Sequence, residues 1–521
     1  MSANDQLAAD LSRIEAPVTA KAYLMCVFSA FGGIFFGYDS GYINGVIGMA
    51  AFIKHIEGAN ATTLSATYKA LIISFLSLGT LVGSLVAGEV AERIGRRPTV
   101  IGSCVFFMFG VLAQLVGTGL LGFTIGRAIA GMGIGGVSAV LILYMSEIAP
   151  RKVRGAIVAG YQFCITLGLL LASAIDYATE KRTDSSAFQI PIAIQIIWAL
   201  ILGIGLFFLP ESPRYYVRNG ELGLAAHALS RLRGQPATSQ YIRDELTEIM
   251  ANYERERGLH GSYRTTWLAC FGGRLGDRWS NLRRTILGVT LQMMSQWTGV
   301  NFTNSFQDLG TIQNPFFISL ITTLAIEKMG RRRLFLFGAA GMVICQFVVA
   351  IVGTVSQGPT SLTVMIAFIC LFIFFFATTW GPGSWVLIGE IFPLETRARG
   401  VALSTASNWF WNFIIGLITP YMVDKDKGNL GAKVFFIWGS LCTVALIFTW
   451  FLVPETKGLT LEQIDKMLRE SSIRDSAKWT PHSTYAIELG VVQQAPDSEP
   501  PALPQTNGHP IGPATPHVHL D

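Results

Sequence analysis

The sequence predicts an all-α polytopic membrane protein, with twelve transmembrane helices in two six-helix bundles. Three observations carry this. The 521-residue chain is 51% hydrophobic and only 14% charged, whereas soluble globular proteins carry about 25% charged residues. It therefore lacks the polarity to cover an ordinary water-facing surface. Apolar runs of bilayer-spanning length recur along it, and charged motifs of the first half return in the second.

A spanning helix needs roughly 20 mostly apolar residues. Such runs lie near 22–45, 69–88, 99–118, 120–144, 157–178 and 190–209. After a polar stretch they resume near 284–302, 334–355, 362–389, 400–423 and 433–453. A weaker run, 314–326, supplies the eighth in order and completes six plus six. Residues 1–20 are polar and read as a cytoplasmic N-terminus. The first run is expected to be a permanent span, because a secretory leader has a shorter apolar core and a small-residue cleavage site. The expected segments are an N-terminal bundle over 21–209, a cytoplasmic linker over 210–283, a C-terminal bundle over 284–455, and a cytoplasmic tail over 456–521. That tail gains many prolines after 471 and is expected to be largely disordered.

Basic residues set the orientation. Arg93, Arg96 and Arg97 follow the second run, and Arg151, Lys152 and Arg154 the fourth. The Arg-dense linker follows the sixth, Lys328 and Arg331 to Arg333 the eighth, and Arg397 and Arg399 the tenth. Every even-numbered exit is basic, which places these loops and both termini in the cytoplasm. The expected setting is the plasma membrane. The sequon Asn60-Ala61-Thr62 then falls in the first outside loop, where it is a candidate glycosylation site.

The repeat is specific. Glu92-Arg93-Ile94-Gly95-Arg96-Arg97 returns as Glu327-Lys328-Met329-Gly330-Arg331-Arg332, Ser146-Glu147-Ile148-Ala149-Pro150 as Gly389-Glu390-Ile391-Phe392-Pro393, and Pro210-Glu211-Ser212-Pro213-Arg214 as Pro454-Glu455-Thr456-Lys457-Gly458. The separations are 235, 243 and 244 residues. Two such halves are related by an axis along the membrane normal.

Together with Gly37-Tyr38-Asp39-Ser40-Gly41, Gly126-Arg127, Gln296-Trp297-Thr298-Gly299-Val300-Asn301 and Trp380-Gly381-Pro382, these motifs make the chain resemble a sugar porter of the major facilitator superfamily, of the fungal hexose-transporter kind, over about residues 20–470. The resemblance implies monosaccharide transport by alternating access. Asp39 lies inside the first apolar run and Arg127 near the start of the fourth, and intramembrane charges are costly and usually paired. The resemblance implies that they form a pair responding to protonation, the proton being the second partner; the alternative is a permanent salt bridge between the two helices. Sugar hydroxyls call for amide partners, which donate and accept from one group, and for aromatic rings against the C–H faces. The positions matching the family are Gln162, Gln296, Asn301, Trp385 and Asn408. The cytoplasmic motifs, Glu92, Arg96, Arg97, Glu147 and Arg154 with Glu327, Arg331, Arg332, Glu390 and Arg397, are expected to pair as a gate when the outside is open, besides setting topology.

Other chemistries find no support. Gly131, Gly133, Gly135 and Gly136 sit in an apolar helix with no preceding strand, so close helix packing explains them better than a nucleotide loop. No His/Cys cluster has metal spacing and no nucleophile has a base beside it. The expectation is no enzyme, no cofactor, no metal and no nucleic acid. The seven cysteines have no disulfide-like spacing and read as core residues, as Cys26, Cys104 and Cys164 illustrate.

One region departs from the pattern. Thr285 to Gly330, 46 residues, must hold the seventh and eighth spans and an outer loop. The 13-residue run 314–326 makes about 20 Å of helix at 1.5 Å per residue, against a hydrocarbon core of about 30 Å. Phe302 leads into Thr303-Asn304-Ser305 where the family continues with aromatic residues, and Ser295 stands where many members have a second Gln. The shortfall reads as the loss of two short pieces from the chain, the alternative being a genuinely altered protein. Within the same fold, two rival functions stand beside hexose transport by symport or facilitated diffusion: a sugar sensor, and a carrier of another polyol or a cyclic acid such as quinate.

Overall fold

The computed structural model describes residues 18–58, 60–260, 266–277, 280–300, 329–356, 358–423, 428–481 and residue 485. Among them, ten helices are long and apolar enough to cross a membrane: Ala20–Gly48, Ala66–Ile94, Arg96–Val116, Gly119–Ile148, Arg151–Thr179 and Ser186–Phe208, then Arg331–Val355, Pro359–Glu390, Arg397–Val423 and Gly431–Leu452. These are spans one to six and nine to twelve. The seventh helix, Asn281–Trp297, is 17 residues long. The weak eighth run, with Asn301 and Glu327, lies outside the described residues.

The halves pack alike. The first span lies on the fifth and the third on the sixth, as the seventh lies on the eleventh and the ninth on the twelfth. The second span packs along the eleventh and the fifth against the end of the tenth, joining the halves. The fourth span can sit so close to its neighbours because its glycines leave room. A Cβ on Gly131 or Gly135 would run into backbone of the second span, and one on Gly133 or Gly136 into the third. That is the small-residue packing expected of membrane helices.

Large apolar side chains that the core does not use ring the outside. Phe106, Phe109, Phe207, Phe208, Trp450 and Phe451 are all exposed, an arrangement that only lipid tolerates. All seven cysteines are free, five buried and Cys164 and Cys370 half-buried.

Two features position the site. The tenth span changes winding at Phe376–Trp380, where the Gly381 N–H bonds back to the Phe376 carbonyl. Pro382 follows and has no N–H to give. Such a π-turn inside a helix is typical of functional positions, and it sets the direction of Trp385. The second feature is cytoplasmic. The linker forms helices Pro213–Asn219, Leu222–Arg233 and Gln240–His260. After the twelfth span comes the helix Leu461–Glu470, started by a reciprocal Thr460–Gln463 cap. The expectation of a largely disordered tail is therefore corrected for residues 456–481. A capping box starts the helix, Ile464 and Met467 are fully buried, and Ser476 is buried where its hydroxyl accepts from the Glu455 N–H at 2.9 Å.

Candidate substrate site, buried charge pair and cytoplasmic closure

A chain of amides joins the seventh and eleventh helices of the C-terminal half. The Gln296 side-chain N–H donates to Asn408 Oδ1 at 3.1 Å, and Asn408 Nδ2 donates to Gln292 Oε1 at 2.8 Å. Gln292 was not singled out from the sequence. It precedes Gln296 by four residues, so both lie on one helix face, and that spacing was the available signal. Aromatic rings flank the amides. Trp385 stands edge-on to Tyr161 at 6.1 Å, and Phe36 lies between Tyr161 at 6.5 Å and Trp409 at 5.2 Å. The half-buried Gln162 borders Gly381, where a Cβ would come within 3.2 Å of its carboxamide carbon. Across the bundles, Ser77 Oγ donates to Asn412 Oδ1 at 2.7 Å, a pair with no sequence motif behind it. Gln296 and Asn408 are thus bonded to each other, Gln162 and Trp385 lie at the contact between the fifth and tenth spans, and Asn301 is outside the described residues.

Asp39 and Arg127 are both buried and meet by a single bond, Arg127 Nη1 to Asp39 Oδ1, at 3.3 Å. The same nitrogen donates to Tyr42 Oη at 3.0 Å, and the Tyr42 hydroxyl in turn donates to Gln114 Oε1 at 2.8 Å. Asp39 Oδ2 has no hydrogen-bond partner among the described residues. This is a one-point contact with an open carboxylate oxygen, not the two-point fork that makes an Arg–carboxylate pair rigid.

The cytoplasmic motifs are closed and nearly two-fold symmetric. Arg96 holds Glu147 through two bonds of 3.0 and 3.1 Å, and Arg331 holds Glu390 at 3.0 Å. Glu211 accepts from the Arg97 N–H at 2.9 Å, as Glu455 does from Arg331 and Arg332 at 2.8 and 3.2 Å. Gly95 and Gly330, with φ of +102° and +85°, are needed at these turns. A Cβ on either would meet the capping carboxylate at 2.6 or 2.5 Å. The expected gate pairing needs correction at several residues. Glu92 pairs with Arg218 of the linker. The Arg97 and Arg332 side chains donate to carbonyls of Phe207 and Trp450, Arg154 to that of Leu459, and Arg397 to that of Phe392. Arg97 and Arg332 sit at the C-terminal ends of the sixth and twelfth spans and take last-turn carbonyls there instead of a carboxylate. Glu327 lies outside the described residues. Contacts that tie one half to the other on this face include Arg399–Glu89 at 2.9 Å, Arg151 to the Gly458 carbonyl at 2.6 Å, and Arg214–Glu462 at 2.7 Å. The cytoplasmic face is therefore shut. Burial alone would raise the Glu462 carboxyl, but Arg214 outweighs it and holds the group down at about 2. Arg96→Ala leaves the Glu147 carboxylate buried without its main partner, at a cost of about 3–5 kcal/mol. The expected result is a large drop in the melting temperature of the purified protein.

Glu256, on the third linker helix, was invisible in the sequence. Its carboxylate accepts from the Leu394 and Glu395 N–H groups at 3.2 and 3.1 Å, at the entrance to the eleventh span. Burial, with Asp465 close by, pushes its carboxyl up to about 7. Burial would raise Asp465 too, but Arg284 and Arg469 hold it low. A carboxyl raised in the folded state contributes stability that is fully present below its ordinary 4.5 and is lost as pH rises through about 7. Going from pH 8 to 6 should thus raise the melting temperature, and Glu256→Gln should flatten that part of the curve.

Two helical halves with repeated motifs, amide and aromatic side chains at and near their contact and a charge-paired seal on one face define a secondary carrier of the major facilitator fold. The sequence profile described as "Sugar (and other) transporter" matches residues 25–468, and the chain belongs to this family. It is 42% identical to the major facilitator-type transporter ecdD of Aspergillus rugulosus, over 88% of this chain and 90% of that protein. It is 41% identical to the probable glucose transporter rco-3 of Neurospora crassa, over 86% and 79%, and 41% identical to the high glucose sensor RGT2 of Saccharomyces cerevisiae, over 88% and 62%. Among solved structures, the proton:xylose symporter XylE bound to 6-bromo-6-deoxy-D-glucose superposes with a TM-score of 0.74 at 24% identity, covering 86% of this chain and 99% of that one. The Aspergillus alignment runs over 495 positions but takes in 88% of the 521 residues here, about 458, so about 37 of its positions have no counterpart in this chain.

Proposed function

We propose that the protein carries a monosaccharide, a hexose such as glucose, across the plasma membrane by alternating access coupled to protons, with both termini in the cytoplasm. The observation that carries the reading is the Gln292–Asn408–Gln296 amide chain on the seventh and eleventh helices, in the same half as Trp385, whose ring meets Tyr161 of the other half. Neutral amides satisfy sugar hydroxyls without burying charge, and the ring covers the C–H face. Names of relatives support the substrate class: two are a glucose transporter and a glucose sensor. In this reading Gln162, Gln296, Trp385 and Asn408 contact the sugar, Asp39 and Arg127 respond to the proton, and the cytoplasmic pairs form the gate. Asn60 is exposed in the first outside loop and is proposed to carry a glycan there.

The test is uptake of labelled glucose by cells lacking their own hexose carriers. Saturable uptake that other hexoses compete away is expected. Competition by quinate or a linear polyol but not by hexoses overturns the substrate. Glucose-dependent signalling without uptake assigns a sensor. Asn408→Ala removes the hydrogen bonds that Asn408 makes with Gln292 and Gln296, so a KM at least about tenfold higher is expected, the equivalent of roughly 1.4 kcal/mol.

A further inference from the structure

Tyr485 is buried, 2% exposed, against two helices far from it in sequence. Its backbone N–H donates to Glu248 Oε1 at 3.0 Å, its ring packs on Ala251, and the Arg255 guanidinium covers the ring at 4.4 Å. These three residues form one face of the linker helix Gln240–His260. On the other side its hydroxyl donates to Asp465 Oδ2 at 3.2 Å, and the Lys466 ammonium lies 5.9 Å from the ring, both on Leu461–Glu470.

The two helices belong to different halves. The linker helix packs on the two shorter linker helices. Those are tied to the N-terminal bundle by Arg233 to the Ile148 carbonyl at 2.9 Å and Tyr215 to the Arg93 carbonyl at 3.0 Å. The C-terminal helix is tied to the other bundle by Arg284–Asp465 at 2.6 Å. The Tyr485 slot therefore spans the line along which the cytoplasmic face must part.

We propose that Tyr485 is a strap that holds the cytoplasm-closed state and that must leave its slot before the cytoplasmic face opens. The proposal rests on the alternating-access reading above. It assigns the slot between the third linker helix and the C-terminal helix as a docking site for this chain's own tail tyrosine. Both rims supply polar partners, Glu248 and Asp465, and a cation lies over the ring from each side. A buried aromatic side chain with its hydrogen bonds satisfied holds such a seam better than an aliphatic one. Because the slot exists only while the halves are together, binding in it shifts the population toward the closed form.

Hydrogen exchange on the full chain in nanodiscs tests this. The amides to follow are residues 149–154 and 457–459, which meet across the halves through Arg151 and Arg154 and do not touch Tyr485. Tyr485→Ala should raise their exchange at least threefold. Tyr485→Phe, which keeps the ring and loses only the Asp465 bond, should give a smaller rise. Faster exchange confined to residues 248–255 and 465–466, or no change in Tyr485→Ala, overturns the strap. Wild-type glucose uptake, measured separately, decides the carrier reading: uptake without any remote effect of Tyr485→Ala retires the strap alone.

Discussion

Asp39→Asn should abolish pH-driven accumulation of sugar while exchange of sugar for sugar continues. The carboxylate meets Arg127 through one oxygen at 3.3 Å, and its second oxygen is unpartnered among the described residues. Protonation there would cancel the attraction to the guanidinium, which keeps its other bond to Tyr42 at 3.0 Å. The pair can thus separate without leaving Arg127 bare. An asparagine has the same shape and is neutral at every pH, so it mimics the permanently protonated acid. Each pH unit is worth about 1.36 kcal/mol, a tenfold ratio for one proton per sugar. Proteoliposomes with a two-unit gradient should therefore concentrate sugar by up to about 100-fold with the wild type and not at all with Asp39→Asn. If uphill uptake survives in that variant, Asp39 is not the coupling group. A permanent salt bridge predicts the opposite pattern, lowered stability with coupling intact.

The sequence was most legible where physics repeats. Hydrophobic runs and basic exits located ten spans, because a bilayer imposes one length and one charge bias on every crossing. Arg96, Glu147, Arg331 and Glu390 stood out because their motifs return in the second half, but which acid each arginine takes was not legible. Partners set by tertiary approach were not legible. Arg218 for Glu92, Glu462 for Arg214 and Arg399 for Glu89 join segments with no common motif. The helix Leu461–Glu470 was passed over because it is short and polar in composition. In the structure every residue from Leu461 to Met467 is buried, its polar side chains included, which the composition gave no reason to expect. Glu256 looks like any charged residue of a solvated helix until the Leu394 and Glu395 amides are seen pointing at it.

Lengthening the region between the seventh and ninth spans should raise transport at least tenfold over the chain as it stands. The run 314–326 falls about 10 Å short of the hydrocarbon core at 1.5 Å per residue. Mismatch costs fractions of a kcal/mol per Å, so a gap of about 10 Å totals several kcal/mol and is not absorbed harmlessly by local thinning. The missing length also falls just after the amide-bearing seventh helix, where the family places aromatic residues that close the site from outside. The chain should therefore bind sugar through Gln296 and Asn408 yet turn over slowly. Inserting roughly 20 residues in two places, after Phe302 and after Thr323, would let the eighth helix span and should restore uptake without changing the KM set by the amides. Sequencing the transcript is the first check, since an mRNA that already encodes the extra residues identifies them as lost from this chain. Ordinary turnover by the 521-residue protein, from a transcript that matches it, would overturn the argument.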